Sequence, residues 1–115
     1  MIPSAGDIYW VEFDPALGTE QKGRRPALVI SNERLNLRSP RLIVCAITSN
    51  ARPWPTHVAL PPTLRCTGFV MTDQVRTIDR GYRLSTFIER APSEFLQIVI
   101  ARLGLIIGLQ LPPGP

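Results

Sequence analysis

Cysteine, histidine, lysine and long apolar runs are all scarce in this chain. Its 115 residues hold two cysteines, Cys45 and Cys66, and one histidine, His57. Two thiols cannot build the multiply bridged framework of a small coreless domain. Their spacing, with a lone histidine, does not match a zinc site either, so no metal site is expected. The longest apolar stretch, Phe95 to Leu109, is interrupted by Gln97 and Arg102. It falls short of the ~18–20 apolar residues of a membrane span. The opening MIPSAGDIYW has no basic head followed by an apolar run, so no export signal is expected. Both cysteines are therefore expected to be reduced, in a cytoplasmic protein. The segment Gly18-Thr19-Glu20-Gln21-Lys22-Gly23 lacks the spacing of a phosphate-binding loop, and a strand rather than a helix follows it.

What the chain does hold is arginine. Lys22 is the single lysine against twelve arginines, and the net charge is +4. Arginine presents a planar fork that binds phosphate or carboxylate bidentately. A basic balance permits a nucleic-acid partner without requiring one. Apolar residues make up 44% and charged residues 19%, which suits one folded domain. That domain is read as residues 1–110, and the tail 111–115 (LPPGP) is expected to be disordered.

Six or seven short strands and one C-terminal helix are expected. Asp7–Phe13 is rich in aromatic and β-branched residues and reads as a strand. A polar loop with Gly18 and Gly23 follows. Pro26–Ser31 and Arg41–Thr48 are apolar enough to be central strands. The polar link between them has room for one helical turn. Short strands are expected at Thr56–Leu60, Phe69–Thr72, Val75–Ile78 and Leu84–Ile88. From Pro92 the apolar period becomes helical: Phe95, Ile98, Val99, Leu103, Ile106 and Ile107. Pro92 suits the first turn and Gly108 the end. Leu96, Ile100 and Leu105 widen the apolar surface, and a second subunit is its natural cover. A strongly bent antiparallel sheet or barrel with an added helix fits this pattern. Trp10 is read as core.

Few catalytic sets are available. His57 reads as a packed or surface residue rather than a catalyst. Asp73, Asp79, Glu89 and Glu94 read as solvated carboxylates. Arg24 and Arg25 stand where a glycine-containing loop enters a buried strand. Thr48 and Ser49 stand where another buried strand ends. Such strand ends hold side chains rigidly while adjoining loops reach a ligand. On spacing alone, surface charges and a strand-end hydroxyl carry more weight.

Three blocks in order change that weighting. Residues 6–31, GDIYWVEFDPALGTEQKGRRPALVIS, contain Gly18-Thr19-Glu20-Gln21 and Arg25-Pro26. Ile43–Thr48 is an apolar strand ending in threonine. Asp73-Gln74-Val75-Arg76-Thr77-Ile78 is the third block. Together they resemble the MazF/PemK/Kid family of toxins, over most of the chain.

The resemblance implies an SH3-like barrel with a C-terminal helix, assembled as a two-fold homodimer. It implies a sequence-specific endoribonuclease toxin of a type II toxin–antitoxin pair. The substrate would be single-stranded RNA, cut by attack of its own 2′-hydroxyl without metal or cofactor. The products would carry 2′,3′-cyclic phosphate and 5′-hydroxyl ends. Arg25 and Thr48 match the family's catalytic positions. The 2′-hydroxyl proton would go to Arg25 itself or to Glu20. Glu20 and Gln21 are placed in their loop to read base edges, and Gln74 matches a position near the RNA groove. Arg24 and Arg76 are further candidates for RNA contact. Trp54, between two prolines, is placed to stack on a base or to pack against its flanks. The expected inhibitor is an acidic antitoxin whose disordered segment folds onto the basic groove. Two rivals keep the barrel: a CcdB-like toxin that binds DNA gyrase without catalysis, and an SH3-like peptide-binding module.

Overall fold

A computed structural model of the chain describes residues 2–50 and 52–110. The tail 111–115 lies outside them. In chain order the elements are β1 (Asp7–Glu12), β2 (Arg24–Val29), α1 (Glu33–Arg38), β3 (Arg41–Thr48), β4 (His57–Ala59), β5 (Phe69–Asp79), α2 (Arg80–Arg83), β6 (Leu84–Arg90) and α3 (Ser93–Ile106). The six strands form one antiparallel sheet in the order β4-β5-β3-β2-β1-β6.

Alternation along each strand divides the core in two. Ile8, Leu28, Cys45, Ile47 and Val70 face α3, whose Phe95, Leu96 and Val99 pack against them. Tyr9, Val11, Phe13, Ala27, Val29, Val44 and Ala46 face the other way. They meet Met71 and Ile78 of β5 and Leu84 of β6. Strands from opposite halves of the sheet thus share one cluster, so the sheet curls on itself like a barrel. Because Ala27–Val29 of β2 and Val44–Ile47 of β3 are buried on both faces, these stretches read as unbroken apolar runs. Each fully buried aliphatic side chain contributes about 1.5–3 kcal/mol. This outweighs the Asp7–Arg90 ion pair at 2.7 Å, whose arginine is 60% exposed and whose worth is about 1 kcal/mol or less.

α3 ends in a Schellman motif. Leu109 N–H bonds the Gly104 carbonyl at 2.8 Å, and Gly108 N–H that of Leu105 at 3.2 Å. Gly108 takes the left-handed conformation (φ +76°) that this motif requires. Pro92 caps α3 from outside rather than sitting in its first turn. α3 lies against β4 and β5, buries Phe95, Leu96 and Val99, and exposes Ile98, Leu105 and Ile106.

Two further expectations are corrected. Phe69–Thr72 and Val75–Ile78 are not two strands but parts of β5. The polar Asp73-Gln74 pair lies in a bulge: Cys45 pairs with Val75 and Ile47 with Val70, so Ala46 alone faces residues 71–74. Thr72 fills the bulge, its N–H and hydroxyl both donating to the Thr56 carbonyl (3.1 and 2.5 Å). Trp10 is only half-buried. It alternates onto the Ile8 face, at the end of the sheet that α3 leaves uncovered. The short α2 has no apolar period to announce it. Asp79 caps it, accepting from Gly81 N–H (2.9 Å) and Tyr82 N–H (3.3 Å).

Two backbone features shape the end of β3. Pro26 has no N–H to donate, and the β2–β3 ladder stops one residue inward, at Ala27–Ala46. On the other side, Gly68 has φ +109°, and a Cβ there would lie 2.0 Å from the Thr48 carbonyl oxygen. Gly68→Ala is therefore expected to destabilise the fold by on the order of 3 kcal/mol, read as a lowered urea midpoint. An unchanged midpoint would show that Thr48 is not held against Gly68.

Candidate active site

Arg25 and Thr48 stand on facing strands just past the last bonded pair of the β2–β3 ladder. Carrying the Ala27–Ala46 register two residues outward sets them opposite each other. The Pro26 gap lies between that position and the last bonded pair, so the side chains stand where the strands part. Thr48 is 8% exposed, and its Oγ1 accepts from Asn50 N–H at 3.1 Å. Its hydroxyl proton therefore remains available to donate.

Two concavities flank this point. The larger, about 680 Å³, is lined by Trp10, Lys22, Gly23, Arg24, Arg25, Pro26, Ile47, Ser49, Arg65, Cys66, Thr67 and Ile88. Its lining includes four cationic residues and no carboxylate. The Arg24 guanidinium carbon lies 5.1 Å from the Trp10 ring centroid, a cation–π contact that makes one wall both flat and charged. The smaller, about 330 Å³, is lined by Phe13, Thr19, Glu20, Gln21, Asp73, Gln74, Val75 and Arg76. The β5 bulge delivers Asp73 and Gln74 to it, and the β1–β2 loop delivers Thr19, Glu20 and Gln21.

The loop grips Arg25. Its Nε donates to the Lys22 carbonyl at 2.9 Å. With the Gln21 amide oriented to satisfy both partners, its oxygen accepts from Arg25 Nε (2.6 Å) and Nη2 (2.9 Å). Gln21 N–H donates to Gln74 Oε1 at 3.2 Å. Glu20 Oε1 accepts from Leu17 N–H at 2.8 Å, which closes a turn within the loop.

The other candidates disperse. Arg76 donates to the Phe13 carbonyl at 3.1 Å and lies 5.9 Å from that ring's centroid, on the wall of the smaller concavity. Arg80 ties down the end of α1 through the Asn36 carbonyl at 2.8 Å. Trp54 is 57% exposed and lines neither concavity. His57 sits on edge strand β4 beside Phe69, centroids 5.9 Å apart. Trp10, Phe13, Lys22, Arg65 and Asp73 line the site without having been expected there. Only the alternation that puts Trp10 opposite Tyr9 could have flagged any of them.

Glu89 anchors the far wall of the larger cleft. It accepts from Arg65 N–H (2.9 Å) and Cys66 N–H (2.7 Å). Burial works against its charge. Those N–H groups, the Cys66 thiol and the Arg65 charge outweigh burial and hold its pKa below the ordinary carboxylate value. The thiols move the other way. Burial, with the Asp73 charge, pushes Cys45 up to about 12. Burial, then the Glu89 hydrogen bond and charge, push Cys66 up to about 11, against a smaller lowering by Arg65. Both cysteines are free and stay protonated at neutral pH. Among the described residues, no three His, Cys, Asp or Glu side chains gather into a metal-binding group.

A family model described as "PemK-like, MazF-like toxin of type II toxin-antitoxin system" matches residues 4–107. The endoribonuclease toxin MazF of Escherichia coli K12 is 34% identical over 93% of this chain and 96% of its own. A crystal structure of MazF from Deinococcus radiodurans superposes with TM-score 0.89 at 37% identity, covering 95% of this chain and 99% of that one. A MazE–MazF complex from the same organism matches with TM-score 0.83 at 34% identity, covering 96% and 100%.

The Glu89 anchor carries a pH signature. A carboxylate with a depressed folded pKa contributes stability that is complete above its unfolded value, here 4.5. That stability is lost as pH falls through the folded value. Glu89→Gln should be less stable than wild type in urea melts at pH 7, and the difference should shrink toward nil in acid. A difference of constant size across that range would remove the charge from this account.

Proposed function

The chain belongs to the PemK-like, MazF-like toxins of type II toxin–antitoxin systems, and on that premise we propose that Arg25 and Thr48 cut single-stranded RNA at the mouth of the cationic cleft. The activity is that of an endoribonuclease toxin, which leaves the gyrase-binding alternative without support. The observation that carries the residue assignment is the placement of Arg25 across from Thr48, where the β2–β3 ladder opens beside a cleft lined by cations and no carboxylate.

RNA supplies its own nucleophile. The 2′-oxygen bonds to the adjacent phosphorus and the bond from phosphorus to the 5′-oxygen breaks. A 2′,3′-cyclic phosphate and a 5′-hydroxyl result. Arg25 binds the phosphoryl oxygens, and its hydrogen bonds strengthen as charge grows on them. Thr48 donates a hydrogen bond to the same oxygens. Arginine keeps its proton at neutral pH, so the 2′-hydroxyl proton goes to Glu20, on the rim of the smaller concavity. The departing 5′-oxygen, hydrogen-bonded to Arg25, takes a proton from water, and the hydroxide left behind takes up the proton that Glu20 received, so the site returns to its starting state. No step calls for a metal ion.

Unstacked bases flanking the cut occupy the two concavities. Aromatic faces and edge-reading polar groups suit single strands. Trp10 offers the first in the larger cleft, and Asp73 the second in the smaller. The same larger cleft suits an acidic antitoxin segment, which would compete with RNA for Arg25. A second copy of the chain covers the apolar residues that α3 leaves exposed. Two free, protonated thiols accord with the cytoplasm, where such an RNA target is found.

Purified protein, freed of antitoxin, is expected to cut a mixed-sequence RNA in excess EDTA at one short motif, leaving cyclic-phosphate ends. Arg25→Ala should lose roughly 10²–10³-fold or more in rate, and Thr48→Val a smaller factor, both with unchanged thermal melts. Full activity in folded Arg25→Ala would remove Arg25 from the chemistry.

A further inference from the structure

A guanidinium has two edges that can each bind an acceptor pair: Nε with Nη2, and Nη1 with Nη2. In Arg25 the first edge is already occupied. The Gln21 amide oxygen takes both Nε (2.6 Å) and Nη2 (2.9 Å), and the Lys22 carbonyl takes Nε as well at 2.9 Å. The edge left for a phosphate is Nη1–Nη2. Gln21 belongs to a loop that carries Gly18 and Gly23, both at positive φ, and such a loop does not hold a side chain in place unaided. Asp14 Oδ1 ties the far end of the loop through Gly23 N–H at 3.0 Å, and at Gln21 itself the tie is Gln74, 53 residues away in sequence, whose Oε1 accepts the Gln21 backbone N–H at 3.2 Å. Gln74 is in turn set by the β5 bulge.

We propose that Gln74 and Gln21 form a positioning relay: Gln74 pins the loop at Gln21, and Gln21 turns the Arg25 guanidinium so that its Nη1–Nη2 edge faces the scissile phosphate. This rests on Arg25 being the phosphate-binding group. A neutral acceptor suits the task better than a carboxylate would. It orients the guanidinium without cancelling the charge that the phosphoryl oxygens need. The relay holds the arginine's orientation before RNA arrives, so the transition state does not have to impose it.

The test uses the whole protein and an RNA carrying its mapped cleavage motif, with kcat and KM measured separately. Gln74→Leu, which removes the acceptor, should lower kcat roughly tenfold or more with KM within about twofold. Gln74→Glu keeps the acceptor oxygen and should restore kcat, even where its charge raises KM. In an Arg25→Lys background, where the Nε–Nη2 edge is gone, Gln74→Leu should have no further effect on kcat. A readout independent of activity is the Arg25 Nε–H resonance. It should be protected from solvent exchange in wild type and Gln74→Glu, and lost in folded Gln74→Leu. If Gln74→Leu instead changes the cleaved motif or KM with kcat intact, Gln74 reads RNA directly and the relay is overturned. A protected Nε–H in Gln74→Leu overturns it too. Full activity of Arg25→Lys is a different result, because it removes the underlying assignment of the arginine fork.

Discussion

The missing N–H of Pro26 is the constraint on which the site depends. A central strand normally keeps its ladder to the end, but Pro26 offers β3 no donor and the β2–β3 ladder ends at Ala27. The strands part there while both remain anchored in a core buried on two faces. Arg25 and Thr48 are thereby set at an opening whose walls are rigid. On the far side, Gly68 lets the start of β5 approach the Thr48 backbone more closely than any side chain would allow. The opening is thus built from backbone properties at two positions, and the chemical groups only have to be placed on it.

Charge is then divided between the two sides of the opening. The larger cleft gathers cations and the flat Trp10 ring, which raises the local concentration of a polyanion and favours its encounter. The smaller concavity carries the carboxylates Glu20 and Asp73. Arg25 sits between them with one guanidinium edge held by the loop. A positive field draws a polyanion to the larger cleft, while Glu20, the proposed proton acceptor, lies beside the smaller concavity, where that field is weaker. An acidic antitoxin segment would exploit the same field and would need no separate docking surface to block the reaction.

Much of this was legible in the sequence, for physical reasons. β3 could be bounded at both ends because a strand buried on both faces must be a continuous apolar run. α3 declared itself through its period. Arg25 and Thr48 were singled out as candidates through the three-block resemblance, since spacing alone favoured ordinary surface residues. The misreadings share one cause. Local pattern reports which way a side chain alternates but not what covers that face. Trp10 looked like core because its neighbours are core, yet α3 stops short of it. The polar Asp73-Gln74 pair broke the apolar pattern into two expected strands, and a bulge carries the same residues without breaking the strand. The contact from Gln74 to Gln21 joins positions 53 residues apart, and nothing in either segment announces it.

The account's central claim is that the RNA attacks itself while Arg25 and Thr48 hold and stabilise the phosphate. The direct measurement uses two RNAs of the mapped cleavage motif, identical except for a single 2′-deoxynucleotide on the 5′ side of the cut. The account predicts that both bind the protein with similar affinity and that only the all-ribose strand is cleaved. Cleavage of the deoxy-substituted strand at the same bond would mean that water or a protein group is the nucleophile, and would contradict the mechanism derived from this site.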